Sequence, residues 1–274
     1  MNVDLAINTD LARKILTGFI RSEVTRVGFR RAVVGLSGGI DSAVACALAA
    51  EALGPENVLA VRMPYQTSSA DSLVDAEKTA ACLKVQMQTI EITPMVDPLI
   101  DRDPQITNLR KGNLMARARM IVLYDQSEVF KGLVIGTSNK TEILLGYTTM
   151  WGDMAAAINP VGDLYKTQLR QLAAVLQLPQ SVLEKPPSAD LWVGQTDEAE
   201  LGLTYAEVDR LLYLLVDERY TPQDCVDAGF DKAYVQNVLN RVRRNQFKRM
   251  MPPIAKLSAR TIGYDFLYLR DWGT

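Results

Sequence analysis

The sequence predicts an α/β fold, a doubly wound parallel sheet with helices on both faces. Three observations carry that prediction. Apolar, β-branched runs alternate with helical patterns from the start of the chain to about residue 140, the rhythm of successive βαβ units. The run Val33-Val34-Gly35-Leu36 passes through Ser37-Gly38-Gly39 into Ile40-Asp41-Ser42-Ala43, which reads as a buried strand, a tight turn and a first helical turn. Beyond Lys166 the patterns are helical only. We therefore expect one domain over residues 1–274, with a five-stranded sheet core at about 30–165 and a helical C-terminal extension at about 166–274.

In order, Asp10 is placed to N-cap a helix through about Val27, with Leu11, Ile15, Phe19, Ile20 and Val24 on one side. The first strand, the glycine turn and a helix over 41–53 follow, and Gly54-Pro55 stops that helix. A second strand over 58–61, a helix over 69–83 and a third strand over 85–92 come next, and Pro94 breaks the strand. Residues 94–107 show no periodicity. A long helix over 111–130 leads to a fourth strand, Leu133-Val134-Ile135, closed by Gly136-Thr137-Ser138-Asn139. Ile158-Asn159-Pro160-Val161 reads as a short fifth strand, and 166–176 as a helix. Glu184-Lys185-Pro186-Pro187-Ser188-Ala189-Asp190 is irregular, and the acidic run 197–202 reads as a mobile loop. Helices over 204–216, 222–227 and 231–250 complete the chain, the last with Val235, Val238, Leu239, Val242 and Phe247 facing inward.

Composition narrows the chemistry. The chain has 274 residues, 48% hydrophobic and 23% charged, with a net charge of −2. It can bury a sizeable core and has no general basic surface for nucleic acid. The segment MNVDLAINTDLARK lacks a signal-peptide core, and no window is apolar enough to span a membrane, so a cytoplasmic location is expected. Cys46, Cys82 and Cys225 are scattered and form no CxxC, so three buried thiols are expected. There is no histidine. That excludes Ser-His-Asp and Cys-His catalysis and any histidine-ligated metal. Carboxylates, lysines, hydroxyls, backbone amides and hard cations remain.

The SGGIDS turn is the strongest motif. Gly38 and Gly39 can take positive φ and present no side chain to a ligand. Backbone N–H groups at a helix N-terminus form an anion cradle, to which Ser37 and Ser42 add hydroxyls. An ordinary strand-to-helix turn is the plain alternative. GxxxxGK[ST] is absent and no GxGxxG follows a strand, so neither a P-loop nor a Rossmann site is supported. SGGxDS resembles the pyrophosphate loop of the ATP pyrophosphatase group, which cleaves ATP between the α and β phosphates.

A carboxylate beside phosphates is repulsive unless a cation lies between them. Mg²⁺ takes one or two carboxylates plus phosphate oxygens, so Asp41 reads as a metal ligand; a carboxylate favoured by the helix dipole is the alternative. If the strand order is 3-2-1-4, the first and fourth strands are neighbours at the switch point. The SGGIDS turn and the loop carrying Lys140-Thr141-Glu142 then face each other, which makes Glu142 the second ligand rather than a surface charge.

The later motifs are more specific. They are Lys111-Gly112-Asn113, Ala116-Arg117-Ala118-Arg119-Met120, Gly136-Thr137-Ser138-Asn139-Lys140-Thr141-Glu142, Gly146-Tyr147-Thr148-Thr149 and Gly152-Asp153. Lys185-Pro186-Pro187-Ser188-Ala189-Asp190, Asp197-Glu198-Ala199-Glu200-Leu201-Gly202, Tyr264-Asp265 and Arg270-Asp271-Trp272 follow. Together, and in this order, they closely resemble the NAD synthetase family over nearly the whole chain, with its adenine nucleotide alpha-hydrolase-like fold. The resemblance implies a ligase. The nicotinate carboxylate of deamido-NAD attacks the α-phosphate of ATP, giving an acyl adenylate and pyrophosphate, and ammonia then displaces AMP to give NAD. It implies that Ser37, Gly38, Gly39, Asp41 and Ser42 hold pyrophosphate and Mg²⁺, and that Arg62 lies near AMP. Arg117, Thr137 and Glu142 would line the ATP and metal region, Lys166 and Ser188 would touch phosphates, and Asp153 would sit near ammonia or the dinucleotide. Lys166 is a point charge suited to transition-state phosphoryl oxygens, or else a solvated lysine. Arg117 and Arg119 lie two apart on one helix and point in different directions, so at most one reaches the site, and Arg119 is taken as an exposed charge.

Two departures stand out. Ala157 replaces an acidic residue of some ammonia-dependent members, and Leu109 an aromatic that could stack on nicotinate. Both are shared with the glutamine-using branch, whose extra amidase domain this chain is too short to hold. Ammonia is then free, or supplied by an amidase partner. The resemblance also implies a homodimer with the dinucleotide at the interface and the helix from Lys111 as the dimer element. The competing readings are another ATP-pyrophosphatase enzyme, such as a GMP synthetase or a tRNA-thiolating enzyme, and an inactive nucleotide-binding homologue. The absence of a catalytic cysteine pair argues against thiolation.

Overall fold

A computed structural model describes residues 3–188, 191–192 and 196–267. The expectations placed on Ala189-Asp190 and on Arg270-Asp271-Trp272 lie outside the described residues. The chain runs α1 (Thr9–Arg26), β1 (Arg31–Gly35), α2 (Ile40–Leu53), β2 (Val58–Arg62), α3 (Ala70–Leu83), β3 (Gln86–Thr89), α4 (Thr93–Ile100), α5 (Asn108–Phe130) and β4 (Gly132–Ile135). Then follow α6 (Lys140–Leu145), α7 (Lys166–Val175), α8 (Gln180–Glu184), α9 (Asp197–Leu201), α10 (Tyr205–Val216), α11 (Pro222–Asp227) and α12 (Lys232–Arg244).

The strands pair in parallel in the order β3-β2-β1-β4, so the expected topology holds. Alternation along β1 sends Ala32 and Val34 to one face and Val33 to the other. On the first face lies α2, buried nearly all round because its sequence is apolar on every side, with α1 and α7 packed on it. On the second face Val33, Leu59 and Val61 meet Val96 of α4 and Met115, Ala118 and Val122 of α5. The C-terminal helices gather around Leu211, Leu212, Val235 and Val238.

Several expectations are corrected. The sheet has four strands among the described residues. Ile158 makes only a single parallel bridge to Ile135, and Pro160 has no N–H with which to extend a ladder. Asn8, not Asp10, caps α1, its side chain accepting from the Leu11 N–H at 2.9 Å. Ile20 and Val24 are buried, but Leu11, Ile15 and Phe19 are exposed. Residues 93–100 form a helix despite two prolines; Pro94 sits in the first turn, where its missing N–H costs nothing. Residues 197–201 are helical rather than a loop. The last helix stops at Arg244, a 3₁₀ turn follows (Gln246–Arg249), and Phe247 is exposed. Cys46 and Cys225 are buried, whereas Cys82 is exposed. No helix among the described residues is long and apolar enough to cross a membrane.

Candidate active site

The parallel order brings the carboxyl ends of β1 and β4 side by side. Gly38 takes φ +81°, and a Cβ there would stand 2.1 Å from the Ser72 carbonyl oxygen, so only glycine fits. Gly39, contrary to expectation, has φ −93° as the N-cap of α2. The turn holds itself together. The Ser37 N–H donates to Ser42 Oγ at 3.2 Å, the Gly39 N–H to Ser37 Oγ at 3.2 Å, and Ser42 Oγ to the Gly39 carbonyl at 2.9 Å.

Opposite, Lys140-Thr141-Glu142 is not a loop but the first turn of α6. A reciprocal capping box fixes it: the Glu142 N–H donates to Asn139 Oδ1 at 3.0 Å, and the Asn139 N–H to Glu142 Oε2 at 3.2 Å. Asn139 Nδ2 then reaches across to Asp41 Oδ1 at 2.8 Å. One residue thus ties the two turns together and aims both carboxylates into one space.

Lys166 completes the cluster. Its side chain is 2% exposed, and its Nζ pairs with Asp41 Oδ2 and lies 3.5 Å from Glu142 Oε1. The backbone holds it there. The Lys166 N–H donates to Thr141 Oγ1 at 3.0 Å, Thr141 donates to the buried Asp209 at 2.6 Å, and Asp209 accepts from the Thr167 N–H at 2.8 Å. The Tyr205 ring lies 5.1 Å from Nζ, a favourable face for a cation. Tyr205 and Tyr147 also donate to the buried Asp197, at 3.1 and 3.2 Å.

The electrostatics follow from burial and crowding. Burial, then Asp41, pushes the Glu142 carboxyl up to about 8, against the pull of Lys166. Burial works against the Lys166 ammonium, but Asp41 and Glu142 outweigh it and hold it firmly charged. Burial raises Asp197 also. Three carboxyl groups crowd this one ammonium, and a further cation would be favoured in place of the proton that burial and Asp41 hold on Glu142. The donors of the cluster are all oxygens, which suits Mg²⁺. Among the described residues no group of three or more His, Cys, Asp or Glu side chains could hold an ion by itself. The missing ligands would be phosphate oxygens and water.

A cavity of about 500 Å³ opens above the cluster, a size suited to a nucleotide. Of the residues singled out in the sequence, Ser37, Gly39, Asp41, Ser42, Arg62, Thr137, Glu142, Asp153, Lys166 and Ser188 line it. Gly38 is not among the lining residues; its positive φ shapes the turn. Asp153 is crowded by protein though open to solvent; burial raises its carboxyl to about 6, against a 2.6 Å bond from the Thr149 N–H. The two arginines exchange places relative to expectation. Arg119 lines the cavity, with its Nε on the Met63 carbonyl at 3.1 Å, while Arg117 lies outside the lining and binds the Met150 carbonyl at 2.8 Å.

The family model described as NAD synthase matches residues 12–252. The chain belongs to the NAD synthase family. An NH(3)-dependent NAD(+) synthetase of Trichlorobacter lovleyi is 56% identical over 269 residues, 98% of each chain. Among solved structures, the NH3-dependent NAD synthetase from Campylobacter jejuni, in complex with the nitrate ion, is 35% identical with a TM-score of 0.78, covering 91% of this chain and all of that one. The NMN synthetase from Francisella tularensis is 32% identical with a TM-score of 0.81, over 92% of this chain and all of that one.

Within this family site, sequence reasoning missed five side chains. Asn139 was findable, because Asn followed three residues later by Glu is a capping-box spacing. Asp197, Tyr147 and Tyr205 were not, because they converge only in three dimensions. Lys185 lines the cavity with its Nζ 2.9 Å from Ser72 Oγ and 3.3 Å from the buried Asp75; it opens one of the family motifs, but nothing there gives its ammonium these partners.

Proposed function

We propose that this chain is a ligase that amidates deamido-NAD to NAD with ammonia, at the expense of ATP, through an acyl adenylate. The observation that carries the reading is the wall of the cavity. There the SGGIDS turn, Asp41, Glu142 and Lys166 stand together, in a chain of a family whose relatives are NH(3)-dependent NAD(+) synthetases over nearly their full length.

In the first step a nicotinate carboxylate oxygen bonds to the α-phosphorus and the bond from that phosphorus to the bridging oxygen breaks. Ser37, Ser42 and the Gly39 N–H, now bonded among themselves, exchange those bonds for pyrophosphate oxygens over the α2 N-terminus. Lys166 sets a fixed positive charge beside the oxygens that gain charge. Mg²⁺, for which Asp41 and Glu142 are the protein ligands, supplies neutralisation of the phosphates when bound. Arg62, Arg119, Thr137 and Ser188 surround the rest of the nucleotide. In the second step the ammonia nitrogen bonds to the acyl carbon, the carbon–oxygen bond to AMP breaks, and a proton leaves the nitrogen. Asp153, on the same cavity, is suited to accept it.

The full similarity to ammonia-dependent relatives supports free ammonia as the nitrogen source, with an amidase on another chain as the variant of that reading. A single synthetase domain over 1–274, a homodimer with α5 at its interface and Arg117 near the dinucleotide, and a cytoplasmic site of action complete it. The Francisella neighbour supports a second acceptor, the mononucleotide counterpart of deamido-NAD. The test is product analysis with ATP, Mg²⁺ and ammonium and either acceptor. NAD and AMP in equal amounts support the reading; ADP, or no dinucleotide product, overturns it. Faster turnover of the mononucleotide would favour the second acceptor.

A further inference from the structure

Among the described residues four cations line the main cavity: Arg62, Arg119, Lys166 and Lys185. Three of them are committed to protein partners. Lys166 pairs with Asp41 and Glu142. Arg62 donates to the Leu73 carbonyl at 2.9 Å and to Thr89 Oγ1 at 3.1 Å, and pairs with Glu77. Arg119 donates to the Met63 carbonyl. Lys185 is held differently. Its Nζ donates to Ser72 Oγ at 2.9 Å and lies 3.3 Å from Oδ2 of the buried Asp75, whose Oδ1 accepts from Ser181 Oγ at 2.7 Å. An ammonium has three N–H groups, and Lys185 has no third partner among the described residues. Its place ties it to the phosphate turn. Ser72, whose hydroxyl receives the ammonium, is also the residue whose carbonyl closes on Gly38, 2.1 Å from where a Cβ would stand. Lys185 therefore flanks the SGGIDS turn, and Ser68 and Ser69 line the same cavity. Its base is fixed. Lys185 is extended (φ −63°, ψ 131°) as a residue before proline is, Pro186 and Pro187 stiffen the backbone, and the Pro187 carbonyl accepts from the Asp197 N–H at 3.0 Å. Hydroxyls and an ammonium with one carboxylate behind it suit phosphate oxygens.

We infer that Lys185 is a second phosphate-binding cation: Asp75 and Ser72 hold its ammonium beside the SGGIDS turn, and its remaining N–H takes an oxygen of the pyrophosphate that leaves. Lys166 meets the turn at Asp41 and answers two carboxylates before it meets a phosphate. Lys185 meets the turn at Gly38, through Ser72, and adds a fixed charge where the leaving group gains charge. The inference rests on the ligase reading above and assigns a further residue to its leaving group.

The experiment titrates magnesium pyrophosphate and, separately, AMP into the whole protein by calorimetry. Lys185→Met should weaken pyrophosphate binding roughly tenfold or more and leave AMP binding unchanged, and Lys185→Arg should recover most of the loss. Asp75→Asn keeps the ammonium and the bond from Ser181, so it should bind pyrophosphate no more weakly than the wild type. A clasp that only folds the segment predicts otherwise: Asp75→Asn and Lys185→Met would then lose alike, in Tm and in both ligands. Unchanged pyrophosphate binding in Lys185→Met, an equal loss of AMP binding, or an equal loss in Asp75→Asn overturns the inference. If Lys185→Met does not fold, reductive methylation of the wild type decides, since the Lys185 side chain is 22% exposed. Protection of Lys185 by magnesium pyrophosphate and not by AMP, mapped by mass spectrometry, supports the inference; protection by both, or by neither, overturns it. Labelled pyrophosphate that does not exchange into ATP on the wild type with deamido-NAD would instead overturn the ligase reading.

Discussion

Lys166→Met isolates the role of the buried ammonium. Methionine keeps the apolar stem beside Tyr205 and removes only the charge. Asp41 would keep its bond from Asn139 at 2.8 Å, and Glu142 its bond from the Asn139 N–H, but both would lose their common cation. Removing one partner of a fully buried ion pair costs about 3–5 kcal/mol. Here Asp41 and Glu142 retain 18% and 15% exposure toward the cavity, which places the loss at the lower end, about 3 kcal/mol. For a chain of this size that lowers Tm by roughly 6–12 °C. Thermal unfolding at pH 8 without divalent ions reads it. The double variant Asp41→Asn, Lys166→Met removes the orphaned charge as well, so the two losses should fall short of additive by about 1–3 kcal/mol. Mg²⁺ should restore more stability to Lys166→Met than to the wild type, because it replaces the missing charge. AMP formation should drop by about 10²–10³. A Tm shift of less than about 1 °C, or strict additivity in the double variant, would refute this account of the cluster.

Gly38→Ala forces a side chain into positive φ and against the Ser72 carbonyl, so it should cost about 1–3 kcal/mol and raise the KM for ATP, read by denaturation and steady-state kinetics. Arg119→Met should raise the KM for ATP by roughly tenfold while Arg117→Met leaves it unchanged, since only Arg119 lines the cavity. The folded chain holds a proton on Asp153 up to about 6, whereas the unfolded chain releases it near 3.8. Its contribution is therefore favourable below 3.8 and is lost as pH rises to about 6. Asp153→Asn should flatten that part of a Tm–pH profile. An unchanged profile would remove Asp153 as the group responsible.

Much of this was legible in the sequence because strand-to-helix alternation fixes a parallel topology, and that topology fixes which turns meet. Gly38 and Asp41 could be read from the SGGIDS spacing, and Glu142 from the strand order. Lys166 could be named from the family resemblance, but its burial between two carboxylates could not be read. That burial depends on Thr141 and Asp209, which approach only after α6, α7 and α10 pack. The same holds for Asp197. An acidic run reads as solvated, yet the hydroxyls of Tyr147 and Tyr205 receive one of its carboxylates in the interior. The fifth strand failed because an apolar tetrapeptide satisfies a strand pattern even where a proline ends the ladder after one bridge. Arg117 and Arg119 are alike in sequence, and only the rotation of α5 against β4 decides which one faces the cavity.

The central claim is that the acceptor carboxylate is adenylated before nitrogen attacks. Deamido-NAD labelled with ¹⁸O in its nicotinate carboxylate tests it directly, with ATP, Mg²⁺ and ammonium and with ³¹P NMR of the products. Adenylation places one labelled oxygen on the phosphorus of AMP and none in pyrophosphate. Unlabelled AMP, or label in inorganic phosphate or pyrophosphate, would contradict it.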